Sequence, residues 1–174
     1  MKRLIKLSSL LLVMVLGLTI NSTAQSRAQK KADKDTDDFV YEIEGMSVGT
    51  QGTYLIKVWS YSKKPTIAIN QAKKNAVHGV IFKGFSGKPG VPGQKALATP
   101  EIEKEKEAWF DEFFSDKGNY NRYVTESGDG TVAAEDRMKV GKKYKIGVIV
   151  SVNVADLRKA LEDAGVIKGL SSGF

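Results

Sequence analysis

The chain has 174 residues, room for one domain with tails, and 27 basic against 20 acidic side chains give it a formal net charge of +7. It has no cysteine and one histidine, which excludes disulfides, a lipidated N-terminal cysteine and the usual His/Cys zinc sites. Basic and acidic residues are interspersed, as in "EIEKEKE", rather than gathered into the basic face that a nucleic-acid partner requires, so none is expected.

The N-terminus opens with "MKRLIK", a basic stretch, followed by the apolar run Leu10 to Ile20 and the small residues Ser22 and Ala24. This order predicts a secretory signal peptide over residues 1–24, cut between Ala24 and Gln25. The apolar run is shorter than the roughly 20 residues that a membrane span needs, so no integral membrane segment is expected after cleavage. Setting aside Lys2, Arg3 and Lys6 leaves a mild +4 on the remainder. Residues 25–38, "QSRAQKKADKDTDD", are polar without apolar periodicity and are predicted to be a disordered leader. The acidic part, Asp33 to Asp38, lacks the glycine and distal glutamate of a calcium loop. A single domain is expected over 39–174, held by its apolar core alone.

Two strands open that domain. Phe39, Tyr41 and Ile43 alternate with Val40, Glu42 and Glu44; Tyr54, Ile56 and Val58 alternate with Leu55, Lys57 and Trp59. Pro65 then starts a helix running to Lys83, with Ile69, Ala72, Ala76 and Val80 at helical spacing and His78 among apolar neighbours. His78 lacks a nucleophile motif around it and reads as a partly buried structural residue.

"GKPGVPG", Gly87 to Gly93, follows. It fails the phosphate-loop pattern, because Pro89 stands where Ser or Thr is required and Phe82 where the first glycine should be. Two Gly-X-Pro triplets cannot nucleate a collagen helix. The stretch reads as an inter-helix connector, with a flap beside a partner surface as the other use. No cofactor is expected.

Thr99 and Pro100 predict the start of a second helix to Ser115, charged in its first half and aromatic in its second. "YNRYVTE" reads as a short strand and Ser127 to Lys143 as turns. "KYKIGVIVSVNVA" is the clearest strand, with Tyr144, Ile146, Val148, Val150, Val152 and Val154 on one face. Asp156 is expected to cap a last helix that stops at Gly165. The order β-β-α-α-β-β-α predicts an α+β two-layer sandwich, an antiparallel or mixed sheet with helices on one face.

From Tyr54 to Val166, the succession "YLIKVWSYSK", "AINQAKKNAVHGVIFKGF" and "KYKIGVIVSVNVADLRKALEDAGV" resembles exported bacterial domains of the type of the flagellar assembly protein T N-terminal domain and small surface lipoproteins, and the "TAQ" stretch, Thr23 to Gln25, together with the overall pattern resembles secreted proteins of Bacteroidetes. The resemblance implies an assembly or scaffold role in the cell envelope and no catalytic residues.

The expectation is therefore a non-catalytic periplasmic or secreted binding or scaffold module that contacts another envelope protein. Candidate partner-binding residues are Trp59 and Tyr61 on one strand face, Lys88 in the Gly/Pro loop and Trp109 on the aromatic helix. The alternative is a carbohydrate- or peptidoglycan-binding protein, or a glycoside hydrolase using carboxylates such as Asp111, Glu112 or Glu126. No metal ligand set and no particular oligomeric state are indicated.

Overall fold

Helices and an antiparallel sheet make this an α+β domain. The computed structural model describes residues 39–116, 118–128 and 131–169; the signal peptide expected over 1–24 and the leader expected over 25–38 lie outside them. In chain order the elements are β1 (Tyr41–Val48), β2 (Thr53–Ser62), α1 (Pro65–Phe82), α2 (Pro100–Glu105), α3 (Glu107–Phe113), β3 (Val124–Glu126), β4 (Arg137–Val140), β5 (Lys143–Asn153) and α4 (Val154–Asp163). The sheet runs β1-β2-β5-β3, with β4 also paired to β5. Every pairing among these strands is antiparallel. No helix of the described residues is long and apolar enough to cross a membrane.

Alternation fixes the two faces of the sheet. On the inner face β2 contributes Ile56, Val58, Ser60 and Ser62, and β5 contributes Ile146, Val148, Val150 and Val152, all buried. Helix α1 packs here with Ala68, Ala72 and Ala76, whose small side chains let its axis approach the sheet. The helix is buried nearly all round from Asn75 to Phe82, because α3 and Phe114 just after it cover its other side through Phe82–Phe110 and His78–Phe114 ring contacts. Residues 97 and 98 donate their amides to the carbonyls of Val80 and Ile81, satisfying groups at the helix end.

The sequence-based order needs four corrections. The helix expected over 100–115 breaks at Lys106, whose φ of −109° and ψ of 27° are not helical. A fourth strand, β4, lies in the stretch read as turns; all four of its residues are exposed, so it carries no apolar period to read. "YNRYVTE" is a 3₁₀ turn over Asn119–Tyr123 and then the three-residue β3. The cap of α4 is Asn153, whose side chain accepts from the amide of Asp156, three residues earlier than the cap expected.

"GKPGVPG" is a small hairpin. Lys88 and Val91 exchange both backbone hydrogen bonds, at 2.9 and 2.8 Å, around Pro89-Gly90. Proline followed by a glycine with φ of +78° is the sequence of a type II turn. One step out, Phe85 and Gln94 exchange another pair at 2.8 and 3.0 Å. The hairpin lies on the sheet: a Cβ at Gly45 of β1 would meet the Phe85 ring at 2.7 Å and Val91 at 3.2 Å. Phe85 and Val91 are both buried. Replacing Gly87–Gly93 by a short Gly/Ser linker therefore costs about 2 kcal/mol, the burial of one valine side chain. A free connector would cost a few tenths. Urea unfolding of the two proteins separates these values.

Candidate functional site

The face of the sheet turned away from α1, its outer face, carries partly buried side chains in β2. Alternation in β2 sends Leu55, Lys57, Trp59 and Tyr61 outward, opposite the buried Ile56, Val58 and Ser60. Register then sets their neighbours: Trp59 lies between Glu42 of β1 and Gly147 of β5, and Tyr61 lies beside Lys145. Gly147 makes room for the indole, because a Cβ there would meet the Trp59 ring at 2.8 Å. The ring thus lies flat over the glycine backbone, with the Lys57 and Lys145 ammonium groups 5.1 and 5.0 Å from its centroid.

The polar tips of this face are cross-linked. Trp59 Nε1 donates to Glu44 at 3.2 Å, Tyr61 donates to Glu42 at 2.6 Å, and Lys145 donates to the other oxygen of Glu42 at 2.8 Å. Lys57 pairs with Asp136 at 2.7 Å. The Lys145 and Tyr61 hydrogen bonds hold the Glu42 carboxyl below its usual range, and the Glu42 bond raises Lys145. Trp59 and Tyr61 are partly buried, while Met138 and Val140 of β4 are exposed, at 40% and 50%. The result is a preorganised surface of aromatic faces among fixed charges.

Of the four residues singled out in the sequence, Trp59 and Tyr61 come together on this face, and Lys88 and Trp109 do not join them. Lys88 sits at the hairpin tip, 3.7 Å from the Met46 sulfur. Trp109 is on α3, stacked on Phe113 at 4.8 Å and half-buried against the core. Of the three carboxylates considered for hydrolysis, Asp111 and Glu112 are exposed on α3 and Glu126 is bridged to Lys73 at 3.2 Å.

On the helical side, α1 and α2–α3 enclose an arrangement that the sequence did not reveal. His78 is 5% exposed. Its Nδ1 is 2.6 Å from the Tyr41 hydroxyl and its Nε2 is 2.8 Å from Glu103. Burial pushes the imidazole down to about 4, against the opposing hydrogen bond and charge of Glu103, so the ring is neutral at pH 7. An ionised carboxylate can only accept, so Nε2 carries the proton and Nδ1 accepts from Tyr41. Burial, reinforced by the charge of Glu103, raises the tyrosine and keeps it protonated as that donor. Phe39 stacks on the imidazole at 3.6 Å, and Phe82 and Phe114 flank it. The relay Tyr41–His78–Glu103 ends at a cleft of about 540 Å³ lined by Phe39, Lys74, Glu103, Glu107, Phe110 and Asp111 among others. The only sequence signal for it was the single histidine on an apolar helix.

Among the described residues no group of three His, Asp or Glu side chains is placed to hold a metal ion. Comparison with known proteins gives no match to a family model, to a curated protein or to a solved structure.

Proposed function

We propose that the domain is a non-catalytic binding or scaffold module of the cell envelope, exported to the periplasm or beyond, whose outer sheet face docks on another envelope protein. In this proposal the helices form one layer and the sheet the other, as in a two-layer sandwich, and the free face is the working surface. The observation that carries it is the pair Trp59 and Tyr61, partly exposed and held rigid by Gly147, Glu42 and Glu44. Rigid aromatics bordered by exposed Met138 and Val140 and rimmed by charge match the make-up of protein interfaces. The signal-like N-terminus and the resemblance to envelope assembly domains supply the compartment.

Trp59→Ala with Tyr61→Ala should abolish capture of the partner from envelope extracts, while Trp109→Ala, in the other layer, leaves it intact. All three proteins should still unfold cooperatively. Equal capture by the parent and the outer-face variant would remove the sheet face from the proposal.

The flat seating of Trp59 also favours a second reading, a sugar-stacking platform for carbohydrate or peptidoglycan. A stacked sugar changes indole emission. Titration with soluble peptidoglycan fragments should then shift tryptophan fluorescence in the parent and in Trp109→Phe, and not in Trp59→Phe. No shift in the parent retains the protein-docking proposal alone.

A further inference from the structure

The cleft beside His78 belongs to the helical layer and takes no part in the outer sheet face. Helix α3 supplies Glu107, Phe110 and Asp111, at i, i+3 and i+4 on one face, and Phe114 follows directly at its C-terminal end. Phe110 and Phe114 are buried at 4% and 7%, and with Phe39 they make an aromatic floor. Glu107 and Asp111 stand above that floor on the solvent side. The opposite wall comes from α1: Lys74 lies one helical turn before His78, on the side where His78 holds Glu103. Lys104 completes the rim. None of Lys74, Lys104, Glu107 and Asp111 forms an ion pair among the described residues. Glu103, 35% exposed, is held in place by the Tyr41–His78 relay.

We propose that this cleft binds a zwitterion of peptide chemistry, a short peptide or free amino acid with apolar side chains. Charge complementarity selects this class. A simple organic cation would face Lys74 and Lys104; a simple anion would face three carboxylates; an uncharged apolar molecule would desolvate all of them without pairing any. A zwitterion places its ammonium on the Glu107–Asp111 wall, its carboxylate on Lys74 and its side chains on Phe39, Phe110 and Phe114. The volume falls within the range of small-ligand sites.

The test uses phenylalanyl-leucine, its C-terminal amide and its N-acetyl derivative on the purified protein. Binding is followed by calorimetry and by the ring resonances of His78, which are unambiguous because the chain has no other histidine. The free dipeptide should bind about tenfold more tightly than either blocked form, which corresponds to one lost charge contact each. Lys74→Gln should remove the preference over the amide. Glu107→Gln with Asp111→Asn should remove the preference over the acetyl form. These side chains lie outside the core, so melting temperatures should match the parent.

Equal affinity for all three forms overturns the proposal, as does a preference for the amide, which would mark a plain cation site. Absence of any His78 shift at millimolar dipeptide overturns it too. Loss of partner capture through Trp59 and Tyr61 bears only on the sheet face, so the two proposals fail separately.

Discussion

Val150→Asp abolishes the folded state. Val150 is fully buried at the centre of β5, paired with Ile56 on one side and Glu126 on the other, its side chain under α1. An aspartate there has no cation within the core to pair with: the buried polar side chains of the described residues are Ser60, Ser62, Gln71, Asn75, His78 and Asp136. Burying an unpaired carboxylate costs several kcal/mol, whether it stays ionised or takes up a proton, and the lost valine adds about 2 kcal/mol. A domain of this size has about 5–15 kcal/mol in total. The control is the next residue. Ile149 points to the outer face, opposite Lys57, and is only partly buried. Ile149→Asp gains a nearby ammonium and keeps access to water, so it should cost about 1 kcal/mol or less. Far-UV circular dichroism and urea unfolding of the pair give the answer. A soluble, cooperatively unfolding Val150→Asp would mean that the facing of β5 is reversed.

That contrast between adjacent residues marks what a sequence of this kind discloses. Strands β1, β2 and β5 and helix α1 have long apolar periods, and their faces follow directly from alternation or from 3.6-residue spacing. β4 has four exposed residues and is recognisable only through its pairing with β5, from Arg137↔Ile146 to Val140↔Lys143. The break at Lys106 occurs within a run of good helix formers, so local preference gives no warning of it. Gly87 to Gly93 reads as a connector, because the seat of its hairpin on Gly45 depends on contacts some forty residues apart along the chain. The sites divide in the same way. Trp59 and Tyr61 share a strand face two residues apart and could be grouped by eye. Trp109 and Lys88 could be separated from them only by tertiary placement, Trp109 against Phe113 on α3 and Lys88 at the hairpin tip. His78 was visible, yet its partners Tyr41 and Glu103 are 37 and 25 residues away, and no local pattern connects them.

The stability of the protein falls as pH drops from about 6.5 to about 4, and His78 is the cause. In the unfolded chain the imidazole titrates near 6.5; in the fold, burial first and the Lys83 charge last lower it to about 4, outweighing the Glu103 hydrogen bond and charge. The groups facing it are Tyr41 and Phe39 from β1 and its approach, Phe82 and Lys83 at the end of α1, Glu103 from α2 and Phe114 after α3. The neutral ring is thus the one the fold prefers. Below about 6.5 the unfolded chain binds a proton that the folded state refuses, and unfolding gains that free energy until the folded ring also protonates near 4. The loss over this window is about 3 kcal/mol, since each pH unit between the two midpoints is worth about 1.36 kcal/mol. Carboxylates such as Glu42, lowered by Lys145 and Tyr61, add their own loss at lower pH. The two are separable because the chain has one histidine. Its ring resonances report the folded titration directly, and His78→Gln removes its share of the slope between pH 4 and 6.5. A ring that titrates near 6.5 in the folded protein would show an imidazole open to water, and the Tyr41–His78–Glu103 relay would not exist in solution. A midpoint near 4, with the slope lost in His78→Gln, requires the ring to be enclosed by Phe39 and Phe114. Enclosure also fixes the orientation of Glu103, since a neutral imidazole with Nδ1 committed to Tyr41 has a single proton to offer and only one carboxylate to receive it.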